Sequence, residues 1–174
     1  MRHLSRRFVR ALSTKPPSAD DIAWVESVLS PGLAEQWLRM PHHDQRHAVG
    51  VARGVEAQLA GTQYADDPRW LAAALVHDIG KLDSRLGVYG RVVATVSASV
   101  AGRDNADAWS ERSGFTRRVG LYLRHPELGA DRIRVSGGPE EAAAWAAAHH
   151  APDARAATGI PPEVVAALVA ADDD

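Results

Sequence analysis

"LVHDIGKLD" (residues 75–83) sets a histidine beside an aspartate at the end of an apolar run, and a glycine, a lysine and a second aspartate follow at once. Asp67-Pro68 opens the run. Aspartate caps helix N-termini, and proline suits the first turn, where its missing donor costs nothing. From there Trp70, Ala74 and His77 recur at i, i+4 and i+7, which is one face of a helix, so His77 faces the core. Neighbours on a helix point about 100° apart. His77 and Asp78 therefore converge only where the backbone turns, and Gly80 permits a turn. The stretch is either a polar helix end or half of a metal site.

Outward from this helix the chain reads as helical almost throughout, and alternating strand patterns are scarce. Ser18 is placed to cap "ADDIAWVESVL" (19–29), with acids in the first turn and Pro31-Gly32 beyond. A short helix "LAEQWLRM" (33–40) stops at Pro41. Asp44 is placed to cap a long helix running to Ala60, with Gly61 after it. Residues 90–101 read as helical, with a short hairpin as the alternative. Further helices are expected over 105–113, 115–124, 126–134, 139–150 and 161–172. The pattern predicts an all-α bundle: a basic leader (1–17) and one domain (18–174), whose motifs occupy 44–174. No internal repeat or long linker interrupts it.

Polar residues recur on the buried stripes of four helices. Val51, Val55 and Leu59 continue a stripe that begins at His47. His77 is the second case. Ala142, Trp145 and His149 share a face, and Val165, Leu168 and Val169 lead to Asp172. Taken singly, each is explained as a satisfied core histidine, a frayed helix end or part of the acidic "DDD" tail. Taken together, four uncompensated polar groups would cost of order 1–3 kcal/mol each. A shared metal satisfies all of them at once. Lys81 lies one turn beyond the histidine–aspartate pair and is one of only two lysines against eighteen arginines. Its compact ammonium suits a phosphate oxygen near a metal; its plain alternative is a charge at a helix C-terminus.

Composition narrows the donor set. The 174 residues contain no cysteine, which excludes disulfides, thiolate zinc sites, iron–sulfur clusters and cysteine nucleophiles. Any metal must be held by histidine and carboxylate. Hydrophobic residues make up 45%, as expected for a globular domain, and the net charge of −2 gives no global field favouring nucleic acid or an anionic membrane. No run approaches the roughly 20 apolar residues of a membrane span. The leader is rich in arginine and lacks an apolar centre. That resembles a transit peptide in composition, but a basic first helix on a cytoplasmic protein is the better reading.

These residues resemble the HD superfamily of metal-dependent phosphohydrolases. The likeness rests on Arg46-His47, on His77-Asp78 within "AALVHDIGK", and on Asp172 in "LVAADDD"; it spans roughly residues 44–174 and is similar to small bacterial proteins of that kind. "HPELGA" (125–130) and His149-His150 resemble the branch with a Gly-Tyr-Pro loop, whose segment is absent here, as Ala151 follows the histidine doublet and "TGIPP" is no equivalent. The resemblance implies His47, His77, Asp78, His125, His149, His150 and Asp172 as ligands of two divalent ions, Asp78 bridging them. Asp78 and Lys81 would be catalytic, and Lys81 would contact substrate phosphate. Arg46 and Arg124 are further candidates for the charge on the phosphoryl oxygens, with a surface or salt-bridging role as the plain alternative for Arg46. A mixed imidazole and carboxylate set suits Fe, Mn, Zn, Ni or Co. The implied reaction is hydrolysis of a phosphate ester, such as a nucleotide, by a metal-bound hydroxide. The alternatives are a cyclic dinucleotide phosphodiesterase, a di-iron oxygenase and a non-catalytic signalling module. His43 is placed where some relatives carry a further ligand, although Pro41 and His42 favour a loop there.

Overall fold

The computed structural model describes residues 15–101 and 105–173, with side chains undescribed at 98–101. Among them there is no strand, and the architecture is all-α. The leader lies outside the description except for residues 15–17.

The elements are α1 (Ala19–Val28), α2 (Pro31–Leu38), α3 (His42–Leu59), α4 (Pro68–Val76), α5 (Lys81–Ser84), α6 (Val88–Ala101), α7 (Ala106–Ser110), α8 (Gly114–Leu123), α9 (His125–Val135), α10 (Glu140–Ala148), α11 (Pro152–Arg155) and α12 (Pro162–Asp173). A 3₁₀ turn (Ala156–Thr158) follows α11. Ser18 caps α1 as expected, and with Asp21 it forms a capping box. Asp67 caps α4 by accepting the Arg69 N–H at 3.0 Å. Gly61 takes the left-handed conformation (φ 77°) just past α3.

Helix α4 is central. It packs against α1, α3, α10 and α12, and every residue from 72 to 80 is buried. Trp37, Val55, Leu75, Ile79, Ile133, Trp145, Val164 and Leu168 fill the main core around it. A second, smaller core of Leu86, Ala94, Ala106, Val119 and Leu123 lies within α6–α8 and the turn before α6. This cap is tied to the main body by ion pairs. Arg91 forks onto Asp44 with two bonds of 2.7 Å, and Arg132 reaches Asp83 at 2.6 Å.

Several expectations are corrected. Helix α2 begins at Pro31 rather than residue 33, because proline is favoured at a first helical position. Helix α3 begins at His42, so His43 is helical, not in a loop. Asp44 is not a cap; it is buried and satisfied by Arg91. The helical reading of 90–101 holds, and that helix begins earlier, at Val88. On α12 the buried residues are Val164, Ala167, Leu168 and Ala171, so the stripe sits one residue earlier than Val165, Val169 and Asp172, which are half-buried.

Gly80 is also read differently. Its φ of −65° and ψ of −16° are ordinary right-handed values, so no conformational licence is needed. The chain passes from α4 to α5 through tight turns, with Ile79 bonded to Val76 at 3.0 Å and Lys81 to Asp78 at 3.0 Å. Glycine is required because a Cβ here would lie 2.0 Å from the His125 carbonyl oxygen and 2.6 Å from the Gly129 nitrogen. The start of α9 docks directly on this turn.

Candidate metal centre

Helix ends supply most of the cluster. His77 is the C-cap of α4, His149 is the C-cap of α10, and His125 opens α9. All three are buried, as is Asp78. His47 projects from α3 and Asp172 from the last turn of α12, both half-buried, and His150 is exposed.

The three buried imidazoles share one arrangement. Each Nδ1–H donates to the carbonyl three residues back: His77 to Ala74 at 2.8 Å, His125 to Tyr122 at 2.6 Å and His149 to Ala146 at 2.7 Å. A carbonyl can only accept, so Nδ1 carries the proton and Nε2 is left with a lone pair. All three Nε2 atoms are buried without a hydrogen-bond partner, and so is Asp78 Oδ1. Orphaned polar atoms in the interior are costly and rare. Here they converge.

Asp78 stands between two groups. Its Oδ1 lies 3.5 Å from His125 Nε2 and 3.6 Å from His149 Nε2. Its Oδ2 lies 3.5 Å from His77 Nε2 and contacts Lys81 Nζ. On the far side His47 Nε2 meets Asp172 Oδ1 at 3.0 Å, and His77 Nε2 is 3.7 Å from the same oxygen. Two ligands bound at about 2.1 Å to one ion lie about 3.0–3.5 Å apart at octahedral to tetrahedral angles. His47 and Asp172 are within hydrogen-bond distance; the contacts of His77, His125 and His149 at 3.5–3.7 Å are too long for good hydrogen bonds and close to that spacing. One group comprises Asp78, His125, His149 and His150, the other His47, His77 and Asp78, with the ligand atoms of each within 4.8 Å of one another. The donor set therefore fits a metal ion in each group.

Electrostatics agree with this. Burial alone would raise the Asp78 pKa, but the Lys81 ammonium beside it holds it well below the usual carboxylate range. Burial also opposes ionisation of Asp172, and the His47 hydrogen bond overcomes it, so its pKa is lowered. His125 is pushed down to about 4, chiefly by burial. The His150 pKa is lowered too: although part of the side chain is exposed, the protein packed around its ring strips away solvent, and His149 and His125 add to the effect. Neutral imidazole and ionised carboxylate are the forms that bind metal. Lys81 is held charged by Asp78 against the effect of burial.

All seven residues expected as ligands are thus brought to one place, and Lys81 lies at its edge. The two arginines are engaged elsewhere. Arg46 donates to the Lys15 carbonyl, and Arg124 pairs with Asp107 at 2.9 Å and reaches Ser110 at 3.2 Å. Sequence reasoning missed Tyr122, whose ring lies against His125 with centroids 5.5 Å apart. It also missed Arg155, which donates to the His149 carbonyl and secures the chain after the doublet. Tyr122 stands three residues before His125, a back-bonding offset that could have drawn attention to it. No protein-family model, curated protein or solved structure matches this chain.

Proposed function

We propose that this chain is a metal-dependent phosphohydrolase of the HD type, acting on a phosphate ester with nucleotides as the favoured class. The single observation that supports this most is the carboxylate of Asp78, shared by two histidine groups whose buried Nε2 atoms have no other partner. His47, His77 and Asp78, with Asp172 beside them, would hold one ion; Asp78, His125, His149 and His150 would hold the second. Fe, Mn, Zn, Ni and Co suit such ligands. A pair of these ions supplies activation of water and neutralisation of charge on a phosphoryl group.

The chain's own residues do the rest. The Nδ1 bonds to Ala74, Tyr122 and Ala146 fix each ring's tautomer and direction, so the donor atoms are organised before any ligand arrives. Asp78 is ionised in advance by Lys81. With Asp78 engaged as a metal ligand, the Lys81 ammonium would be available to a phosphate oxygen. Neither Arg46 nor Arg124 is assigned a substrate role.

The test is elemental analysis of protein purified without oxygen, followed by a phosphate-release screen over nucleotides and simple esters with Mn or Fe. Near two ions per chain and metal-dependent phosphate release are expected. Two ions with no release from any ester would refute the hydrolase. Consumption of oxygen by the iron-loaded protein would move the assignment to an oxygenase.

A further inference from the structure

Helix α6 contradicts the ordinary rule for a surface helix. Its inner face carries Arg91, forked onto Asp44, and the buried Ala94. The outer face should then be polar. Instead Tyr89 (72% exposed), Val92 (47%), Val93 (47%) and Val96 (57%) occupy i, i+3, i+4 and i+7. They form one continuous apolar stripe turned to solvent. Six of the 14 residues of α6 are β-branched, so the helix is poor by intrinsic propensity and depends on packing. Yet within the chain the fully buried apolar side chain it contributes, among those described, is Ala94. Such a stripe marks an interaction site.

Charge identifies the occupant. The cap, residues 81–124, contains eight basic and four acidic residues, a net +4 in a chain of net −2. No acid occurs between Asp83 and Asp104. Arg85, Arg112 and Arg117 are exposed and form no salt bridge with a described residue. Lys81 and Arg91 are matched by Asp78 and Asp44 outside the cap, and Asp83 by Arg132, which leaves the cap a net +3; a second copy would bring two such caps together and is disfavoured. The stripe is also the convex side of one helix rather than a groove, so shape complementarity to a folded partner has little to work with. A bilayer surface needs none: an interfacial helix binds through an apolar face and neighbouring cations.

We propose that the α6 face docks on an anionic lipid surface, with Tyr89, Val92, Val93 and Val96 entering the headgroup boundary and the cap arginines meeting lipid phosphates. This differs from the expectation drawn from net charge alone, because the whole-chain value of −2 hides the segregation.

The experiment is co-sedimentation of the full-length protein with vesicles of phosphatidylcholine alone and of phosphatidylcholine mixed with phosphatidylglycerol. Binding is expected to the mixed vesicles only, weakening with added salt. Val92→Asp with Val96→Asp should cut partitioning by at least about tenfold, and Arg112→Ala or Arg117→Ala by about fivefold each. Both valines are exposed, so melting temperature and metal content should be unchanged and serve as controls for folding. Absence of binding to the mixed vesicles overturns the proposal. So does binding that survives the valine changes but disappears on deleting residues 1–14, which would make the leader the anchor. A lipid-free dimer that Val92→Asp dissociates would assign the stripe to a second copy instead.

Discussion

Gly80→Ala tests how the metal centre is assembled. The added methyl carbon would lie 2.0 Å from the His125 carbonyl oxygen, 2.6 Å from Gly129 N and 2.9 Å from Gly129 Cα. All three are backbone atoms, so no side chain can swing aside. Restoring ordinary contact, about 3.2 Å or more, requires the start of α9 to retreat by about 1 Å. Overpacking of this kind costs about 1–3 kcal/mol. The same retreat carries His125 away from Asp78, where Nε2 and Oδ1 are now 3.5 Å apart. Ligand bonds tolerate only a few tenths of an ångström, so the second ion should be lost while His47, His77 and Asp78 still hold the first. Gly50→Ala is the control: it lies within α3 with nothing inside 4 Å of an added Cβ, and should stabilise by up to about 1 kcal/mol. Chemical denaturation of the metal-free protein and metal counting on the loaded protein read the two effects. An unchanged midpoint with two ions still bound would refute the account of Gly80 as the seat for α9.

Lys81→Ala should keep both ions and lower turnover of phosphate substrates, since an ammonium paired with Asp78 cannot itself be a ligand; loss of metal, measured by elemental analysis, would contradict that role. Burial lowers His125 from 6.5 to about 4, so the unfolded chain binds a proton that the folded chain refuses between those values. Stability of the metal-free protein should therefore fall as pH drops from 6.5 to 4, by about 3 kcal/mol from this group, and His125→Gln should flatten that part of a pH-dependent melting curve. Arg91→Met strands the buried Asp44 carboxylate and should cost about 3–5 kcal/mol in denaturant titrations, with much of it recovered on adding Asp44→Leu. Asp172→Ala should lose metal and speed hydrogen exchange over residues 165–172, whereas Asp173→Ala should do neither.

The helices and the ligand types were legible because both are local. Periodicity placed His47, His77 and His149 on inward stripes, and the absence of cysteine limited the donors. The shared offset of the three Nδ1 bonds, each to a carbonyl three residues back, is a feature of the folded helix ends. What was not legible depends on distant contacts. Asp44 has the composition of a cap and the location of a core residue, because Arg91 arrives from 47 positions away. Gly80 looks like a turn glycine until α9 is placed against it. Arg46 and Arg124 have the charge a phosphate contact needs, but the direction of a long side chain is decided by its tertiary partners, here Lys15 and Asp107.

The opening stretch posed a choice between a polar helix end and half a metal site, and the geometry lets one set of residues serve as both. A helix C-terminus leaves carbonyls without intrahelical partners. His77 and His149 satisfy such carbonyls, of Ala74 and Ala146, with Nδ1. In doing so they turn Nε2 toward the cluster. Capping the helix and aiming the ligand are one act, so the ligand direction is as rigid as the helix end. The negative ends of α4 and α10, and of α12 at Asp172, also meet here, and each macrodipole favours a cation. His125 breaks the pattern, since it opens α9 and brings a positive helix end. Its Nδ1 reaches back to Tyr122 at the end of α8 instead. Gly80 lets α9 approach closely enough for that imidazole to join the others. Three back-bonded histidines and one ionised aspartate leave four buried acceptors without a donor; a single water donates only two hydrogen bonds, whereas imidazole nitrogen and carboxylate oxygen are the donor atoms that suit a dication.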